Sequence, residues 1–236
     1  VDFALVFEYC NGGDLLKLIK ERRTRGAYLN DAEAVCVSLQ LTLAIAALHR
    51  HGLVHRDLAA RNVFLHVENG ETVLKISDFG MCKNMAETAT GNSITVDAVH
   101  NPADSKTGTD SAYYAPKDVF GLAVVLFELL ALEEISAVSF QQEDKRDEVR
   151  RRLGTDELPA RGISSTLCAL LLDMLQREPS KRAKAEEAVA RLLPLFLANS
   201  GRATWLPAFP HFCIGGAQSL PSERFVCKSG TSADGE

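Results

Sequence analysis

The feature that most restricts this chain is a pair of short apolar runs, residues 63–67 and 72–76, joined through Glu68-Asn69-Gly70-Glu71. Asn-Gly between two β-type runs predicts a hairpin, because a two-residue type I′ turn needs positive φ at both central positions. A hairpin brings the chain back to where it started, so the residues just before 63 must face those just after 76. Those flanks carry His55-Arg56-Asp57-Leu58-Ala59-Ala60-Arg61-Asn62 on one side and Asp78-Phe79-Gly80 on the other. The expectation is one cleft with these two motifs on either side of it.

In order and in separation, H-R-D-L-x-x-x-N followed by D-F-G resembles the catalytic core of a eukaryotic protein kinase. Phosphoryl transfer from ATP needs little covalent help. The protein must orient the attacking hydroxyl, hold Mg2+ against the phosphates and neutralise spreading negative charge, for which carboxylate, amide and cation suffice. The resemblance implies Asp57 as acceptor of the substrate hydroxyl proton, Arg61 as the cation on the γ-phosphate, and Asn62 and Asp78 as oxygen ligands for the metal. It further implies that residues 5–10 are the last N-lobe strand and the hinge, with Phe7 as gatekeeper and the Glu8 carbonyl and Cys10 N–H at the adenine edge. Phe64 would lie under the adenine ring, and Asp14 would contact ribose or substrate. Plainer readings stand beside these: Asp57 and Asp78 as solvated loop carboxylates, and Asp14 as N-cap of a helix through Leu15, Leu16, Leu18 and Ile19.

Elsewhere the chain reads as mostly helical. Asn30-Asp31-Ala32-Glu33 is a capping-box start, and residues 35–48 are apolar on nearly every helical face, the mark of a buried helix. His49, Arg50, His51 and then Gly52 suit its C-terminus. His55 is expected to pack beneath Phe79 rather than act as acid or base, while His49, His51, His66 and His100 are expected at the surface. Residues 81–116 are polar and turn-rich, with Thr88, Thr90, Ser93, Thr95, Ser105, Thr107, Thr109 and Ser111; a long loop of this kind tends to be functional. The resemblance makes it an activation segment, with Arg56 pairing with a phosphate on one of these hydroxyls. Residues 118–130 look like the central helix of the kinase C-lobe, with Asp118 bonding the backbone of the catalytic loop. Helices are also expected over residues 141–153, 163–176 and 185–196, the last interrupted by Pro194.

The implied architecture is α+β: a mainly helical C-lobe with one remnant N-lobe strand, the kinase domain over residues 1–197 and a poorly ordered tail over 198–236. At 236 residues and 46% apolar side chains, burying a core is no difficulty. A formal charge of −5 and no dense Lys/Arg stripe speak against nucleic acid as a partner. The six cysteines form no C-x-x-C pair, which fits reduced thiols in a cytoplasmic or nuclear compartment. The longest apolar run, residues 120–132, is too short to span a membrane and contains Glu128. The chain opens on Val1 within a strand-like run, and we expect a fragment whose start lies elsewhere.

Two departures from the family pattern matter. No Gly-rich loop, V-A-I-K lysine or helix glutamate is present, so the fragment alone is expected to be weak or inactive. Tyr113-Tyr114-Ala115-Pro116-Lys117 runs directly into Asp118, where the family has A-P-E and about a dozen further residues. Arg182, in Pro179-Ser180-Lys181-Arg182, is thereby left without the glutamate its family position pairs with. Asp-Leu-Ala-Ala-Arg-Asn resembles a tyrosine-kinase loop. Gly12-Gly13-Asp14-Leu15, Asn62-Val63-Phe64-Leu65, Gly108-Thr109 and Glu178-Pro179 resemble NIMA-related serine/threonine kinases instead. The leading expectation is therefore a serine/threonine kinase acting on a protein substrate with ATP, against a tyrosine kinase or an inactive pseudokinase used for interaction.

Overall fold

The computed structural model describes residues 6–68, 71–84, 111–135, 142–154 and 157–199. They fall in two units: Val1–Tyr9 with Phe209–Glu236, of which only residues 6–9 are described, and Cys10–Ala208, which holds every element below. Residues 6–10 form no strand. The β-type composition is there, but a strand exists through its ladder, and the described residues supply none for it. The tail from residue 200 and the hydroxyl-rich segment 85–110 lie outside the described residues.

Helix α1 (Leu15–Arg25) starts at Asp14, whose carboxylate accepts the Lys17 N–H at 2.8 Å, and stops at Gly26 in the left-handed region. Helix α2 (Asp31–Arg50) has the expected capping box: Asn30 Oδ1 accepts the Glu33 N–H and Glu33 Oε2 accepts the Asn30 N–H, both at 3.0 Å. Long and apolar enough by composition to cross a bilayer, α2 is instead wrapped by its own chain, as its buried Val35, Val37, Leu39, Leu41 and Ile45 require. It packs most extensively on α7 (Ala185–Asn199) and also on α3 (Ser111–Ala131) and β3 (Glu71–Ile76). Asp31 ties the far end together, accepting from the Ser164 N–H at the start of α6 (Ser165–Met174) and from Asn199 at the end of α7.

The hairpin is present in the expected register, β2 (Val63–Glu68) against β3 with Val63 opposite Ile76 and Glu68 opposite Glu71. Its outer edges are covered. Gly12 N–H donates to Leu65 O and Leu65 N–H to Gly13 O, both at 2.8 Å, while Asn11 exchanges hydrogen bonds with the Val67 backbone. A Cβ on Gly12 would stand 2.8 Å from Leu65 O, which is why the turn needs glycine there. On the other side Gln40 of α2 accepts the Leu74 N–H. A second ladder, β1 (Leu53–Val54) with β4 (Lys83–Asn84), was not anticipated; two residues per strand carry no periodicity to read.

The helix expected over residues 118–130 begins earlier: α3 runs 21 residues from Ser111 straight through Pro116. Proline removes one intrahelical N–H near the start of the helix. The thirteen positions from Val119 to Ala131 are buried on all sides and hold the helix regardless. Pro194 likewise leaves α7 unbroken to Asn199. The charged helix, α4 (Glu143–Gly154), joins α5 (Glu157–Ala160) and the end of α3 through an ionic lattice. In it Arg152 pairs with Glu133 at 2.6 Å and Glu157 at 2.8 Å, and Lys145 with Glu133 at 2.9 Å.

Glu128, one turn before the end of α3, is 3% exposed and accepts the Ile135 N–H at 2.9 Å. Burial, aided by Glu134 and opposed by that hydrogen bond and by Arg61, pushes its carboxyl up to about 8 from 4.5. The folded chain thus holds a proton that the unfolded chain releases, so this group's stabilisation is complete below about pH 4.5 and is lost as pH rises towards 8. Glu128→Gln keeps the acceptor and removes the charge. Urea unfolding at pH 5 and pH 8 is expected to show a flatter pH dependence and a gain at pH 8 on the order of a few kcal/mol.

Candidate active site

The hairpin's open end does what its sequence implied. Val63 faces Ile76, and one residue farther out Ser77 donates its N–H to Asn62 O at 2.8 Å and its hydroxyl to the same oxygen at 3.1 Å. His55 Nε2 lies 2.9 Å from Ser77 O. Ser77 therefore stitches the first motif to the second. Sequence reasoning passed over it, although its place between the hairpin and Asp78 was a usable signal.

Within the first motif, Asn62 is buried at the end of a 3-10 turn, Ala60–Asn62, and its Nδ2 donates to Asp57 O at 2.8 Å and Asp57 Oδ2 at 2.9 Å. Arg61 Nη2 bridges both Asp57 carboxylate oxygens at 3.1 Å. Two of the expected residues thus converge on the carboxylate of a third. With Nδ2 directed at two acceptors, Asn62 Oδ1 is left as its acceptor for a ligand. Asp78 follows with φ 61°, the left-handed region, and its exposed carboxylate accepts from Gly80 N–H at 3.4 Å. Both groups offer oxygen to a hard cation, so the donor chemistry fits Mg2+. Among the described residues no group of three or more His, Cys, Asp or Glu side chains gathers to hold a metal by itself.

The motif is held from below by Asp118. Its carboxylate, 1% exposed, accepts His55 N–H and Arg56 N–H, each at 2.8 Å, and His49 Nε2 at 3.0 Å. The role expected of Asp118 is as found, but His49 is not a surface residue: its side chain is 7% exposed and completes this anchor. A buried carboxylate needs such donors, and the last turn of α2 is where one can reach it. Next along α3, a Cβ on Gly121 would sit 3.3 Å from Leu58 O, so helix and loop backbones pack directly. His55 is fully buried with its ring edge-on to Phe79 at 5.3 Å between centroids, as expected. Of the other histidines, His51 is exposed, His66 part-buried, and His100 lies outside the described residues.

Arg56 has φ 73°, and its guanidinium carbon lies 4.8 Å from the centroid of the Tyr114 ring. Arg182 is buried and meets backbone where its expected glutamate is missing: Nε donates to Gln176 O at 2.6 Å, Nη1 to Pro116 O at 3.2 Å and Nη2 to Arg177 O at 2.8 Å. It also stacks over Phe120 at 4.9 Å.

The nucleotide-contact residues are less gathered. Phe64 is half-buried in β2 and bridged to Asp14 across the Asn11-Asp14 turn, so those two adjoin. Asp14 is occupied as the α1 cap, the plainer of its two readings and compatible with the other. Cys10 is a part-exposed free thiol, and Glu8 belongs to the separately described unit, so the hinge contacts rest on sequence alone.

Comparison with known proteins agrees with this geometry. The family model described as "Protein kinase domain" matches residues 1–193. The human serine/threonine-protein kinase Nek2 is 29% identical over 188 residues, covering 78% of this chain and 41% of its own. The serine/threonine-protein kinase PkaB of Streptomyces coelicolor is 30% identical over 219 residues, covering 86% of this chain and 48% of its own. The chain thus spans less than half the length of either relative. Among solved structures, the Rad53 kinase domain with SCD2 superposes with TM-score 0.56 at 20% identity, over 78% of this chain and 64% of that one. The same domain and SCD2 in complex with AMPPNP gives 0.55. These structural likenesses speak to the fold.

Asp118→Ala strips the acceptor from two backbone N–H groups and His49 at once. It is expected to lower stability by about 3 kcal/mol in urea unfolding, with faster hydrogen exchange at the His55 and Arg56 amides as the local sign.

Proposed function

This chain belongs to the protein kinase domain family, and from that premise we propose that its cleft is the part of a kinase that passes the γ-phosphate of ATP to a serine or threonine hydroxyl of a protein substrate, with little or no turnover by this chain alone. The observation that carries the reading is the convergence of Arg61 and Asn62 on the Asp57 carboxylate, with Asp78 next in sequence to Ser77, which is bonded to Asn62. The Nek2 and PkaB likenesses support serine/threonine over tyrosine, and the AMPPNP complex of the structurally similar Rad53 domain supports a nucleotide.

In this reading Asp57 orients the substrate hydroxyl and takes up its proton, and Asn62 fixes the rotamer of Asp57 through Nδ2. Arg61 exchanges part of its contact with Asp57 for the phosphoryl oxygens, where a guanidinium offsets the charge that develops. Mg2+, when held by Asp78 and Asn62 Oδ1, would neutralise the phosphates and keep the terminal one in line. Phe64 offers a flat apolar floor for adenine beside Asp14.

One observation favours a tyrosine substrate instead. The cation reaches Asp57 from four residues on, at Arg61, while the position two residues on is Ala59, 2% exposed. Phosphoamino-acid analysis of a phosphorylated protein mixture separates the two.

A Mg2+-ATP thermal-shift titration of the chain beside Asp78→Ala is the test of the site. A ligand that binds the folded state raises its melting temperature by mass action, here by roughly several degrees at saturation. The parent is expected to respond only with Mg2+ present and the variant not at all; absence of any response at millimolar nucleotide overturns the reading for this chain.

A further inference from the structure

Arg56 is gripped twice by one face of α3. Asp118 takes its backbone N–H at 2.8 Å, and Tyr114, four residues earlier and so one turn back on the same face, lies against its guanidinium at 4.8 Å. The backbone grip holds a non-glycine residue at φ 73°, a conformation that persists only when its surroundings over-determine it. The side-chain grip is electrostatic, a cation over the negative face of an aromatic ring. It exists because α3 continues back through Pro116 instead of ending at Asp118. Arg56 immediately precedes Asp57, so whatever fixes Arg56 fixes the backbone from which the Asp57 carboxylate projects.

We propose that Tyr114 is a positioning residue for the catalytic loop, acting through its ring on the Arg56 guanidinium and sharing with Asp118 the task of holding Arg56 in its left-handed conformation. The ring's quadrupole, not its bulk, is what the loop needs. Phenylalanine can therefore replace Tyr114, and leucine, similar in apolar character but without a π face, cannot. The inference deepens the function proposed above and rests on it for its catalytic meaning. Its readout needs no nucleotide, so a chain that binds no ATP can still uphold or overturn it.

The test is amide hydrogen exchange by NMR on the nucleotide-free chain. His55 and Arg56 N–H, bonded to Asp118, report the opening of the loop, and Val37 and Leu39 in the core of α2 report global opening. Tyr114→Leu is expected to speed exchange at His55 and Arg56 by roughly two- to five-fold, the worth of one part-buried cation–π contact, with α2 unchanged. Tyr114→Phe, which keeps the π face, is expected to stay well below Tyr114→Leu in exchange at these amides. Arg56→Met, which keeps the ring and removes the cation, is expected to speed the same amides at least as much as Tyr114→Leu does, and Tyr114→Leu is expected to cost less in the Arg56→Met background than in the parent. Unchanged loop exchange in Tyr114→Leu overturns the proposal, as does a Phe variant as fast as Leu, or a double variant whose effects simply add. If Tyr114→Leu does not fold, Tyr114→Met, also without a π face, takes its place and is read by the same amides.

Discussion

A carboxylate buried to 1% exposure is expensive to desolvate, and Asp118 is tolerable only because three donors surround it. Those donors come from separate places: two successive backbone N–H groups of the loop before Asp57, and an imidazole from the last turn of α2. Satisfying one charge therefore fixes the end of the buried helix α2, the start of the catalytic motif and the first turns of α3 at a common point. Had the loop been anchored by apolar packing alone, it could slide; hydrogen bonds of 2.8 Å to a single carboxylate admit little slack. The hairpin then carries the chain outward from that point and returns it at Ser77.

The same need for satisfied polar groups explains how Arg182 is held. Arg182 has lost the glutamate expected for it, yet a buried guanidinium requires acceptors of some kind. Carbonyls of Gln176, Arg177 and Pro116 supply them, and the ring of Phe120 covers its face. The arrangement clamps the 3-10 turn at Pro179–Lys181 to α3.

What could be read from the sequence was what local chemistry dictates. The Asn-Gly hairpin and the Asn30/Glu33 capping box each come from a few neighbouring residues, whereas the anchoring Asp118, whose loop partners lie 63 and 62 residues away, was implied by the kinase resemblance. What could not be read depended on partners far along the chain. His49 looked like one more cation at a helix end, because nothing near it announces a carboxylate 69 residues away. The α3 extension was hidden by Pro116, whose local preference is overridden by the burial of the thirteen residues from Val119 to Ala131. The run at residues 6–10 failed the opposite way: its composition suits a strand, but composition supplies no ladder. Asp57, Arg61, Asn62 and Asp78 were legible as a group because the hairpin between them is itself local.

The unbroken course of α3 has a consequence for how this segment can vary. An α-helix turns about 100° per residue, so residues share a face only at set intervals. Tyr114 and Asp118 act on the same arginine because three residues, Ala115, Pro116 and Lys117, separate them. Changing any of those three alters helix propensity and little else in that relation, whereas inserting or deleting one swings the ring a quarter-turn or more out of phase with the carboxylate. At this junction it is therefore the number of residues, rather than their identity, that the architecture protects.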